Sequence, residues 1–200
     1  MGYTFTNTAA STAAVTNRFV TSTNMANGTY TVANASPTWS GGCLVTATIT
    51  AVTGNDTPGT LTIVGTAIGG AAQTEVLTLT AGGLATSTNA FRTVTSLTQA
   101  GWIINTGNDT IVVGCAAGNV ACGSQGVLGG VLVNNLVAAA VTISDASRTI
   151  MTIPASQAAG TLYSFGDFGV DFGGRLVVST TSTNDITVFH TGTTPASSSL

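Results

Sequence analysis

The sequence predicts an all-β protein of two small sandwich domains, and three observations carry that prediction. Apolar side chains alternate with threonine in short runs: Cys43, Val45, Ala47 and Ile49 alternate with Leu44, Thr46, Thr48 and Thr50, the two-residue period of a strand with one buried face. Glycine, asparagine and aspartate punctuate these runs at the close spacing of an all-β domain. The usual surface helix formers lysine, glutamate and glutamine are nearly missing, with no lysine and a single glutamate, Glu75. Threonine supplies roughly a fifth of the chain, and its β-branched side chain suits a pleated strand while its hydroxyl wets an exposed face without charge.

Residues 1–35 hold no sustained period of two or 3.6 and read as an extended N-terminal arm, with a short strand over Gly28–Val32 at its end. Residues 36–118 read as the first β-sandwich domain. Its strands are expected over Cys43–Thr53, Thr60–Thr66, Thr74–Thr80, Phe91–Leu97, Gly101–Asn105 and Thr110–Cys115, with turn residues from Gly54 to Gly59. In the third of these, Leu77 and Leu79 share a face with Glu75. The small, weakly patterned stretch Cys115–Gly126 marks the boundary. Residues 126–190 read as the second sandwich, with strands over Val127–Val133, Leu136–Ser144, Thr149–Ile153, Gly160–Phe165, Gly174–Thr180 and Asp185–His190. Phe165, Phe168 and Phe172, bracketed by glycines, are expected to close one end of that core, and residues 191–200 form a flexible tail. Sandwiches of this size are of jelly-roll or Ig-like kind.

Charge is thin: four bases and seven acids give a net charge of −3. An average soluble domain is about 25% charged. All four bases are arginines, Arg18, Arg92, Arg148 and Arg175, and none lies near another in sequence. Nucleic acid and anionic membrane surfaces both call for clustered cations, so neither is an expected partner. The mean hydropathy of +0.44 raises the question of a membrane span. The most apolar stretch, Gly126–Ile143, is broken at its centre by Asn134 and Asn135 and reads as two strands joined at an Asn-Asn turn. No signal peptide is read at the N-terminus, and its match to a myristoylation pattern (MGYTFT) is attributed to chance. Cys43, Cys115 and Cys122 form no C-x-x-C motif and suit a reducing compartment. Cys115 and Cys122 could bridge the loop between them. The glycosylation sequons at Asn27, Asn34, Asn55 and Asn108 carry little information in so threonine-rich a chain.

No catalytic, cofactor-binding or metal-binding residue is assigned. The single histidine, His190, would have to serve any Ser-His-Asp or Cys-His device, and it reads as a strand-end residue. Asp167 and Asp171 are the nearest approach to paired carboxylates, and their glycine-rich loop makes solvated turn acids the simpler reading. With Asp145 they could offer oxygen ligands to calcium, but no recognised calcium pattern accompanies them. A phosphate-binding loop of the G-x-x-x-x-G-K-[ST] type is impossible without lysine.

Two sets of motifs resemble virion proteins of tailed bacteriophages. The run PGTLTIVGTAIGGAAQTEVLTL (Pro58–Leu79), then FRTVTSL (Phe91–Leu97) and NDTIVVG (Asn108–Gly114), resembles a small β domain common in those proteins. GVLGGVLVNN (Gly126–Asn135), TISDASRTIMTI (Thr142–Ile153) and FGGRLVVSTTSTNDITVFH (Phe172–His190) resemble a second phage β-sandwich type. Arg175 departs from that pattern, standing where glycine usually runs straight into leucine. The resemblance implies a non-enzymatic virion protein, synthesised in the host bacterial cytoplasm and displayed on the capsid exterior. It implies a capsid decoration (cement) protein, a homotrimer bound to the major capsid protein. Alternatives are a neck, tail or head-fibre component and a carbohydrate- or receptor-binding module, for which Trp39, Trp102, Tyr3, Tyr30 and Tyr163 are the available aromatics.

Overall fold

The computed structural model describes residues 4–8, 11–39, 41–50, 57, 59–103 and 109–192. The described residues form antiparallel β-sheets with one 3-10 turn, Met25–Asn27, and no α-helix. In chain order the strands are β1 Thr4–Thr8, β2 Val15–Asn24, β3 Thr29–Tyr30, β4 Cys43–Thr50, β5 Thr60–Thr66, β6 Ala72–Thr78, β7 Leu84–Phe91, β8 Thr93–Ala100 and β9 Thr110–Cys115. They continue as β10 Asn119–Cys122, β11 Gly126–Val133, β12 Val141–Ser144, β13 Thr149–Ile153, β14 Leu162–Ser164, β15 Val170–Phe172, β16 Leu176–Thr180 and β17 Ile186–Gly192.

The chain divides into two compact units, neither continuous in sequence. One comprises Ala14–Pro37 and Cys43–Ala116 and holds two four-stranded sheets, ordered β2-β9-β4-β7 and β3-β8-β5-β6. The alternation read from sequence has its structural meaning here. Cys43, Val45, Ala47 and Ile49 on β4 are buried, as are Leu61 and Ile63 on β5 and Ile111, Val113 and Cys115 on β9. Glu75 accepts hydrogen bonds from the Thr88 and Asn89 amides (2.6 and 3.0 Å), so its carboxylate ties edge strand β6 to edge strand β7.

The other unit comprises Met1–Ala13, Thr38–Gly42 and Ala117–Leu200. Its sheets run β1-β17-β11-β14, with β15 also on β11, and β10-β16-β12-β13. One buried cluster draws on both sheets: Leu128, Val131 and Val133 from β11 and Ile186 and Val188 from β17 meet Val141, Ile143, Ile153, Leu176 and Val178 from the second sheet. Trp39 is buried in this unit and donates from its indole nitrogen to the Gly42 carbonyl at 2.9 Å.

Several expectations are corrected. The segment read as an arm is built into sheets: β1 pairs with β17 from Thr4↔His190 to Thr8↔Ile186, and β2 pairs with β9, burying Phe19 and Val20. Its period of two is broken by register shifts in the β2–β9 ladder, which hide a strand from a periodicity reading. Strand β7 was not expected, because its buried positions include Ser87 and Ala90 rather than a run of aliphatics. The stretch Cys115–Gly126, within which the chain passes from one unit to the other after Ala116, is not weakly patterned in the fold: it carries β10, whose four residues are all buried. No turn joins two paired strands at Asn134 and Asn135: β11 and β12 lie in different sheets, and residues 134–140 cross between them. Of the three bracketed phenylalanines only Phe172 is in the core; Phe165 packs against it and Phe168 is 93% exposed. The tail belongs to β17 as far as Gly192, and residues 193–200 lie outside the described residues, as do Tyr3, Asn55, Asn108 and most of the Gly54–Gly59 turn.

Candidate functional site

Buried polar residues lie both on strands, as Thr46, Ser87, Asn119, Thr180 and His190 do, and between them, as Asp145 and Asn184 do. His190 lies inside β17 rather than at its end and is 3% exposed. Its Nε2 stands 3.0 Å from the Thr6 hydroxyl, and its Nδ1 is buried without a hydrogen-bond partner among the described residues. Burial lowers its pKa from the ordinary imidazole value, so the neutral ring is the form the core accommodates. Its side-chain partner among the described residues is Thr6 on the adjacent strand β1, a threonine in place of the serine or cysteine a nucleophilic device would use.

Asp145 is a turn acid. Its Oδ1 accepts from the Ser147 amide (2.8 Å), the Ser147 hydroxyl (2.9 Å) and the Arg148 amide (2.8 Å). The Ser147 amide above all, with the Ser147 hydroxyl and the Arg148 and Gly173 amides, holds its pKa down at about 2. Arg148 lies 3.6 Å from the Asp145 carboxylate and donates to the Asp171 carbonyl at 2.8 Å, so an arginine links Asp145 to the Asp171 backbone. Asp167 and Asp171 are exposed. Among the described residues no group of three or more His, Cys, Asp or Glu side chains could hold a metal ion.

The arginines stay apart in role. Arg18 donates to the Ser36 carbonyl at 2.6 Å, Arg148 serves the Asp145 turn, and Arg92 is exposed. Of the aromatics named for sugar stacking, the four among the described residues are buried or half-buried. Tyr30 is 4% exposed, with its hydroxyl on the Met25 carbonyl, and burial lifts its pKa to about 12. Trp39 is in the core, Trp102 is half-buried, and half-buried Tyr163 donates to Gln157 Oε1 at 2.8 Å.

What the structure does bring together is an uncharged outward sheet face. In the β3-β8-β5-β6 sheet, Thr62 stands opposite Val76 and Thr98, and Val64 opposite Thr74 and Ser96. Strand parity places these six on the face opposite buried Leu61, Ile63 and Leu77. Val76 is 56% exposed and Val64 37%. Sequence reading located the alternating threonines but named no contact surface, since period alone does not say which face a second sheet covers. No family model, curated protein or solved structure matches the chain.

Proposed function

We propose that this chain is a structural protein of a tailed-phage virion, a capsid decoration (cement) protein made of two β-sandwich modules that binds the outside of the major capsid lattice as a homotrimer. The observation that carries the reading is the outward face of Thr62, Val64, Thr74, Val76, Ser96 and Thr98, which bears hydroxyls and methyls but no charge. Such a face recognises a partner by shape and apolar burial, since it has no charge with which to steer. Symmetric repetition over a shell multiplies contacts that are individually weak. The motif resemblance to phage β domains supplies the choice of partner. With one histidine, no lysine and one glutamate in the sequence, few residues are candidates for acid–base or nucleophilic chemistry, and that supports a non-enzymatic role.

The test is addition of purified protein to emptied phage heads. Saturation at a fixed copy number per capsomer, retained at about 0.5 M salt where exposed ion pairs are screened, is the expected result. Attachment confined to the portal vertex or tail, in few copies, would assign the chain to the neck, tail or a head fibre instead. Hits on a glycan array without head binding would favour a receptor-binding module.

A further inference from the structure

We propose that Cys43 and Cys115 are a dithiol–disulfide pair whose oxidation staples the two central strands of the β2-β9-β4-β7 sheet. The two residues are 0% and 1% exposed and lie in the same compact unit. They sit on neighbouring strands, with Cys115 in register with Val45, so Cys43 stands diagonally across the ladder on the same inward face. Their sulfurs are 2.7 Å apart. A disulfide bond is about 2.05 Å long, so the gap left to close between the sulfurs is under about 1 Å. Cys122, the third thiol, is occupied elsewhere, donating to the Ser124 carbonyl at 3.4 Å. The bridge considered from sequence, between Cys115 and Cys122, is therefore not the one this geometry favours.

The chemistry balances with a low-molecular-weight disulfide such as oxidised glutathione as oxidant. One protein thiolate attacks it, releasing one glutathione thiol; the second protein thiolate then displaces the other, giving one protein disulfide and two reduced glutathiones. The hydrogen bond to Cys115 and burial hold the Cys43 thiol well above its ordinary pKa. Both sulfurs are buried, so an external disulfide reaches them only when the strands part, and oxidation is slow in the closed fold and faster near its transition temperature. The bridge spans a sequence separation of 72 residues, so the staple constrains most of this unit's unfolded chain.

The experiment uses the full chain and its Cys122→Ser variant, incubated with oxidised glutathione just below the melting transition, then acid-quenched and alkylated. We expect alkylatable thiols in the parent to fall from three to one. Peptide mapping should join Cys43 to Cys115, and the oxidised sample should melt higher than the same sample with dithiothreitol. Cys43→Ala should abolish that redox difference in melting temperature even if the variant is itself less stable. Retention of all three thiols, a link through Cys122 instead, or an unchanged melting temperature in the oxidised Cys122→Ser variant would each overturn the assignment.

Discussion

Replacement of Phe19 by alanine tests whether the N-terminal segment is an integral part of the fold. Phe19 lies on β2, is 0% exposed, and its carbonyl accepts the Ala33 amide at 2.7 Å. Loss of the buried ring costs about 2–3 kcal/mol in transfer free energy. The cavity it leaves raises the total to about 3–5 kcal/mol. For a unit of roughly a hundred residues, with total stability of about 5–15 kcal/mol, that is a large fraction. Each kcal/mol moves the midpoint by about 4–8 °C in a domain of this size. We therefore expect the transition of this unit to fall by on the order of 20 °C in calorimetry. Thr21→Ala, an exposed change on the same strand, should stay within about 0.5 kcal/mol of the parent. A Phe19→Ala protein that melts within about 3 °C of the parent would refute the packing of β2, and with it the replacement of an arm by a sheet strand.

Other perturbations address particular contacts. Gly114→Ala places a Cβ against the backbone of Val15 and Thr16 where β2 crosses β9, and should cost about 1–3 kcal/mol in urea unfolding. Glu75→Ala removes the carboxylate that accepts the Thr88 and Asn89 amides, and should cost about 1–2 kcal/mol and speed hydrogen exchange at those two amides. His190 has a folded pKa below its unfolded value, so its contribution to stability is full above about pH 6.5 and is lost as pH falls through the folded pKa. His190→Gln should flatten the melting temperature below that point. Asp145, with a folded pKa of about 2, contributes stability above its unfolded value near pH 4 that disappears as pH falls toward 2. Asp145→Asn should remove that acid-side slope.

Local alternation determined, from the sequence by itself, that the chain is all-β and where several strands lie. Strands β5, β9 and β13 run over the residues that the pattern predicts; Leu61 and Ile63 on β5 and Ile111, Val113 and Cys115 on β9 are buried in a period of two, whereas β13 buries only Ile153. Tertiary structure decided what local pattern cannot encode. Strands β1 and β2 are strands through their ladder partners, and β10 and β7 bury small or polar residues such as Asn119, Ala121 and Ser87 because a neighbouring layer covers them. The same reasoning separates Phe172 from Phe168, four residues apart in one glycine-rich segment, the first paired at Gly126 on β11 and the second left in a turn. The candidate surface divides likewise. The parity of Thr62, Val64, Thr74 and Val76 is written in the sequence, whereas the choice of outer face follows from the burial of Leu61, Ile63 and Leu77 on the other side. Strand formation depends on side chains a few residues apart, while burial and sulfur–sulfur proximity depend on residues brought together across long stretches of chain, and only the folded backbone specifies those pairings.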